Sequence, residues 1–144
     1  MNKQQIINQE LKFGVEAEGI IKPLLEKYTG ELKTTPQYDN FDFVSDQFTI
    51  ELKTRRNTKT KFYDTIIGKC KFEKAEEILR DRPDMRILFV FNFTDGIWYW
   101  EYDPEVANNF GERLIKRRDL GPSYKGQMYK LIPVNILSKL DDLK

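Results

Sequence analysis

Any chemistry this chain performs must come from carboxylates, lysines and oxygen-ligated cations, because its 144 residues include no histidine and one cysteine, Cys70. Ser-His-Asp triads, imidazole bases, cysteine-rich zinc sites and intramolecular disulfides are excluded together. The residues whose types and spacing could carry a reaction are Asp42, Glu51 and Lys53, within the stretch FDFVSDQFTIELK at 41–53. Apolar and polar residues alternate on both sides of a short polar break, the pattern of a β-hairpin. With Asp46-Gln47 as a two-residue turn, Ser45 faces Phe48, Val44 faces Thr49, Phe43 faces Ile50 and Asp42 faces Glu51. One face then holds Phe41, Phe43, Phe48, Ile50 and Leu52, and the other holds Asp42, Glu51 and Lys53. Directly opposed carboxylates sit roughly 4.5–5.5 Å apart at Cβ and repel. A hard divalent cation such as Mg²⁺ supplies the missing charge, taking carboxylate oxygens while keeping several waters. Lys53, on the same face, adds a fixed positive charge beside it.

These residues resemble the PD-(D/E)XK nuclease family, with Asp42 as its lone aspartate and Glu51-Leu52-Lys53 as its E-x-K tripeptide. Upstream, Gly14-Val15-Glu16-Ala17-Glu18 is similar to the glycine-then-glutamate signature of Holliday-junction-resolvase-like members; Glu18 matches their helical glutamate and Glu16 is its rival. The resemblance covers roughly the first half of the chain and departs from the namesake proline, since Asn40-Phe41 precedes Asp42. It implies a restriction-endonuclease-like three-layer α/β sandwich with a central mixed sheet flanked by helices. It also implies Mg²⁺, with Mn²⁺ as substitute, on Asp42, Glu51 and the backbone carbonyl of Leu52. Lys53 would orient or deprotonate the attacking water, and Glu18 would hold a metal-bound water or a second ion. The activity implied is metal-dependent endonucleolytic hydrolysis of DNA, with branched DNA among the substrates, and a homodimer is compatible with it. Two other classes fit the same residues: a nucleic-acid-binding module without catalysis, and a structural or interaction domain in which Glu51 and Lys53 are an ordinary ion pair.

The elements that must position these residues follow from periodicity. The chain reads as one domain over 1–144. Helical spacing runs from Gln4 to Tyr28, with Ala17, Ile20, Ile21, Leu24, Leu25 and Tyr28 as its stripe. Gly14 and Pro23 weaken or kink that helix, and Glu18 lies at the edge of the stripe, in line with Ile21 and Leu25. A short strand is expected within Glu31 to Tyr38. After Lys53 the chain turns basic, with Arg55, Arg56, Lys59, Lys61, Lys69 and Lys71 against Asp64. Set beside a metal site, this run reads as a phosphate-binding surface; its plain alternative is a solvated face. Phe62 and Tyr63, interleaved with the charges, suit base stacking or loop anchoring.

A helix over Lys69 to Asp81, with Phe72, Ala75, Ile78 and Leu79 on one side, would cover the sheet, and Cys70 reads as a small packing residue. Arg86 to Phe93 and Ile97 to Tyr102 flank the hairpin signal Asp95-Gly96. With Ile87, Phe89, Phe91 and Phe93 on one face and Leu88 and Val90 on the other, the first of these is a central strand buried on both sides. Trp98, Tyr99, Trp100 and Tyr102 then read as core. Asn108 to Gly126 is irregular and carries a second basic cluster, Arg113, Lys116, Arg117 and Arg118. A last strand, Met128 to Val134, leads to a short amphipathic helix through Ile136, Leu137 and Leu140. Net charge is only +1, so a nucleic-acid footprint must arise from where the cations sit. The longest apolar run, Ile87 to Phe91, is too short to span a bilayer and no signal segment opens the chain. A membrane is not expected as a partner, and an intracellular protein is.

Overall fold

Asn2 starts the first helix with a reciprocal cap: its side chain accepts from the Gln5 N–H at 2.8 Å, and the Gln5 side chain accepts from the Asn2 N–H at 2.9 Å. The computed structural model describes residues 2–36, 40–116 and 118–144, the last range without the Arg118 side chain. Tyr38, where the expected early strand ends, and Arg117 of the second basic cluster lie outside the described residues. Helix α1 (Lys3–Thr29) runs unbroken through both Gly14 and Pro23. A proline inside a helix costs about 3 kcal/mol, offset here because Ala17, Ile21 and Leu25 are buried on both sides of it. Gly30 ends the helix at φ +79, donating to the Glu26 carbonyl at 3.0 Å.

Strands β1 (Lys33–Thr34), β2 (Phe43–Val44) and β3 (Phe48–Thr54) form an antiparallel meander. Phe43 pairs with Ile50 and Val44 with Thr49, and the Ser45 N–H donates to the Phe48 carbonyl at 2.8 Å. The expected Asp46-Gln47 turn is present. Then come β4 (Asp64–Gly68), α2 (Lys69–Asp81), β5 (Arg86–Phe93) and β6 (Gly96–Glu101). The remainder comprises α3 (Pro104–Ala107), β7 (Gly111–Ile115), β8 (Gln127–Pro133) and β9 (Ser138–Lys139), with short 3₁₀ turns.

The fold is α/β. A mixed six-stranded sheet has the order β1-β2-β3-β5-β6-β9, with β3 and β5 parallel over seven residue pairs from Phe48–Arg86 to Thr54–Asn92. A second, antiparallel sheet has the order β4-β8-β7. Strand β5 divides the core as its alternation requires. Ile87, Phe89, Phe91 and Phe93 face α2 and the second sheet, packing with Phe72, Ala75, Ile67, Ile132 and Trp100. Leu88 and Val90 face α1, packing with Ile21, Leu25, Phe43, Ile50 and Leu52. The aromatic strand β6 is core as expected, with Trp98, Trp100 and Tyr102 on the first side and Tyr99 on the second. Among the described residues no helix is long and apolar enough to cross a membrane.

Six expectations are corrected. Phe41 does not share a face with Phe43 but joins the opposite core, because the chain leaves strand geometry at 40–42. The hairpin between β5 and β6 turns on Thr94-Asp95, with Phe93 opposite Gly96. Gly96 takes φ +150, and a Cβ there would lie 2.9 Å from the Trp98 ring. The irregular segment after Asn108 contains β7, preceded by α3, and β4 forms where only a basic loop was read. The C-terminal helix is instead two 3₁₀ turns around β9. Cys70 is exposed on the first turn of α2 and packs nothing in the core.

Phe89 is fully buried and stacks on Phe72 at 5.1 Å and Trp100 at 5.9 Å between ring centroids. Phe89→Ala is expected to cost ~3–5 kcal/mol in urea unfolding. A loss below about 1 kcal/mol, the scale of a surface change, would contradict the two-sided core.

Candidate functional site

Regular pairing between β2 and β3 stops at Phe43–Ile50, one residue short of the predicted opposition of Asp42 and Glu51. The Asp42 N–H donates to the Ile50 carbonyl at 2.9 Å, one residue out of step with the ladder. Its carboxylate Oδ2 instead accepts the Leu52 N–H at 2.7 Å, and its carbonyl accepts the Thr35 N–H at 2.9 Å. The break therefore exchanges a backbone pair for a side-chain anchor on the E-x-K tripeptide itself. Both carboxylates still reach one place. Glu18, Asp42, Glu51 and Lys53 line a cleft of about 770 Å³ between the first half of α1, residues 34–36, the end of β3, and Ile66 and Tyr129 of the second sheet. Of the two helical glutamates, Glu18 faces this cleft, whereas Glu16 is exposed and does not line it. Ala17, Ile21 and Leu25 bury the adjoining face of α1, which fixes how Glu18 is presented.

Glu51 is 3% exposed, on the strand between β2 and β5, where it pairs with Phe89. Burial pushes its carboxyl up to about 8, against the pull of Lys53 and Lys71 and with the help of Asp42. Glu18 is raised to about 7, first by burial and then by Asp42 within hydrogen-bonding reach. Asp42 is thus the shared neighbour of two carboxyls that retain protons near neutrality. Lys71 Nζ lies 2.9 Å from Glu51 Oε2. The approach does not have hydrogen-bond geometry, and Oε2 remains a buried acceptor without a hydrogen-bond donor. Lys71 donates instead to the Asn40 carbonyl and sits over the Phe41 ring.

The six cations read from the sequence as one phosphate-binding run have different surroundings. Lys71 faces Glu51, and Lys69 pairs with Glu112 at 3.1 Å. Arg55 is half-buried, donates to the Ile66 carbonyl at 2.5 Å, and has its pKa pushed down by burial against the opposing pull of Tyr129 and Glu51. Arg56 is exposed, lines the cleft and lies 4.2 Å over the Phe13 ring of α1. Lys59 and Lys61 lie over Trp98 and Phe62. The cleft therefore keeps Lys53, Arg55 and Arg56 at its wall. Lys71 as the counter-ion of Glu51, and Thr35 as a support of Asp42, escaped sequence reasoning, because each comes from another element and no local spacing links it to the site.

The donors offered to a cation are hard oxygens, and an orphaned buried carboxylate oxygen is among them; both features fit Mg²⁺. Among the described residues, however, no three Asp, Glu, Cys or His side chains are gathered as a ready-made metal site. Comparison with protein-family models, with curated proteins and with solved structures returned no match.

Glu18 and Glu51 hold protons more firmly folded than unfolded, so folding takes up protons between the ordinary carboxyl value of 4.5 and about 8. Stability present below that window should fall as pH rises through it. Glu51→Gln, a neutral mimic of the protonated acid, is expected to match the wild type near pH 4 and become progressively more stable than it towards pH 8. Urea unfolding in EDTA across this range measures it, and a pH-independent difference between the two proteins would refute the buried proton.

Proposed function

We propose that this protein is a metal-dependent phosphodiester hydrolase acting on DNA, with a restriction-endonuclease-like arrangement of its α/β layers. The observation that carries the reading is the meeting of Glu18, Asp42, Glu51 and Lys53 in one cleft, with two of the carboxyls raised towards neutrality. Strongly perturbed acids in a cleft mark functional sites more often than structural ones. Asp42, Glu51 and the Leu52 carbonyl would hold Mg²⁺ or Mn²⁺. What the bound ion supplies there is an acidified water and positive charge beside the phosphoryl oxygens. Lys53 would orient the attacking water or, as the neutral amine, take its proton, and in its ammonium form would offset negative charge in the transition state. Glu18 would accept a hydrogen bond from a metal-bound water on the α1 side. Arg55 and Arg56 give the cleft two cations for the flanking phosphodiester oxygens.

One observation favours a second reading, a DNA-binding module without catalysis. Lys71 already stands 2.9 Å from Glu51, in the place of a countercharge. The two readings differ in what happens when that lysine is removed. If the site is a metal centre, Lys71→Ala should tighten Mn²⁺ binding, because the competing cation is gone; if the pair is structural, the variant loses stability and gains no affinity for metal.

Cleavage is expected to require metal and to depend on Glu51 and Lys53 as one unit. Glu51→Ala should abolish both Mn²⁺ binding, read by calorimetry, and cleavage of a panel of linear, nicked and four-way DNA. Lys53→Ala should lower turnover by about 10²–10⁴-fold while Mn²⁺ still binds, and the double variant should be hardly worse than the weaker single one. Wild-type cleavage by Glu51→Ala would remove the nuclease assignment. For the flanking cations, Arg56→Ala should flatten the salt dependence of DNA binding by about one unit for each phosphate it no longer neutralises. Lys69→Ala, whose ammonium is engaged by Glu112, should change that slope less.

A further inference from the structure

A second cleft, of about 470 Å³, lies on the other side of Arg55 from the carboxylates, over the β4-β8-β7 sheet. Arg55 and Ile66 line both clefts. The second is walled by Arg55, Lys59 and Arg113 with Phe62 and Tyr63, and Asp64 is the one acid among the described residues that line it. Lys61, beside it in sequence, lies 5.4 Å over the Phe62 ring. None of these four cations forms an ion pair among the described residues, whereas Lys69, Lys71 and Lys130 nearby each do. Phe62 and Tyr63 are 56% and 72% exposed. They do not sit on a slack loop: the Tyr63 carbonyl accepts the Val134 N–H at 2.9 Å, and β4 begins at the next residue. Two exposed aromatic rings held on a pinned backbone, beside cations that form no ion pair among the described residues, contribute little to the core. A ligand that is flat, apolar on its faces and anionic along one edge has a use for them, and that is the chemistry of a nucleotide.

We propose that this second cleft seats an unpaired nucleotide next to the carboxylate cleft, its base stacked on Phe62 or Tyr63 and its phosphates on Arg113, Lys59 and the shared Arg55. A base within a continuous duplex cannot present its face to a side-chain ring without leaving the stack. The substrate class is therefore DNA with a single-stranded segment beside the site of reaction: a free strand, a gap, a flap or an unpaired junction nucleotide. The inference rests on the proposed function for the reaction, but not for the binding. Stacking and phosphate contact in the second cleft need neither metal nor Glu51.

Fluorescence anisotropy in EDTA, with labelled oligothymidylate and a fully paired duplex of equal length as probes, separates the two. The Phe62→Ala/Tyr63→Ala double variant is expected to lose about tenfold or more in affinity for the single strand, the worth of one base–aromatic stack, and little for the duplex. Phe62→Trp/Tyr63→Phe should restore single-strand binding. Arg113→Ala should reduce the salt slope on the single strand by about 0.7, the value for one phosphate contact. Circular dichroism and urea unfolding check that these exposed substitutions leave the fold intact. Equal losses on both probes, or no loss on the single strand, would overturn the proposal. A wild type that binds the strand in this way but cuts no DNA with Mn²⁺ would leave the cleft assignment standing and remove the nuclease reading.

Discussion

Burying Glu51 is the constraint to which the rest of the site answers. An ionised carboxylate in a strand between two apolar cores is costly unless it is paired, protonated or bound to a cation. Here burial outweighs pairing: although Lys71 approaches from α2 and Lys53 follows on the same strand, the carboxyl is still pushed up to about 8 and keeps its proton near neutrality. The parallel register that sets Glu51 beside Phe89 also denies it water from that side. A replacement of Glu51 by an apolar residue would suit the core better than the acid does. On the proposed reading, an acid kept there against the preference of its surroundings is held for chemistry rather than for stability.

The break in the ladder at Asp42 is the second part of that arrangement. A regular continuation of the β2–β3 hairpin would have set Asp42 and Glu51 face to face, the least favourable cross-strand pair. By donating its N–H to Ile50 and accepting the Leu52 N–H on its carboxylate, Asp42 gains a fixed donor for its charge and swings Phe41 into the opposite core. The same shift sets Asp42 between Glu51 on the sheet and Glu18 on α1. Helix, strand and tripeptide thus meet at one carboxylate.

How much of this was legible in the sequence depended on whether side-chain alternation alone determines the outcome. The turn at Asp46-Gln47 and the pairs Phe43–Ile50 and Val44–Thr49 were legible, since a one-residue slip would turn every apolar side chain of the strand to the wrong face. The two-sided β5 was legible for the same reason. The Asp42 break was not, because it depends on a side-chain acceptor displacing a backbone one, and Phe41 was misplaced with it. Strands β4 and β7 were hidden because their pairing partner is β8, distant in sequence, and because DTIIG and GERLI are too short and too mixed in polarity to declare a period. At the Asp95-Gly96 signal the glycine proved to answer a packing demand, the nearness of the Trp98 ring, and not the turn position that the dipeptide usually marks. In the basic run, composition reported charge but not partners: Lys69 and Lys71 belong to acids on other elements.

Arg55 joins the two halves of the molecule in a way that neither cleft explains alone. Its backbone N–H donates to Asn92 at the end of β5, which pins the residue where the six-stranded sheet stops, and its guanidinium crosses to the Ile66 carbonyl on the second sheet. Burial lowers its pKa against the opposing pull of Tyr129 and Glu51, and a guanidinium lowered from so high an ordinary value stays cationic. Strand β4 is thereby docked against the end of β3 by a charged donor rather than by apolar contact alone. A packed aliphatic side chain could join the two sheets without taking a charge partly out of water. What an aliphatic residue cannot do is offer the same charge to both clefts. The half-buried position of Arg55 follows if an anionic backbone passes from one cleft to the other across it, each phosphate restoring part of the solvation the guanidinium gave up on folding.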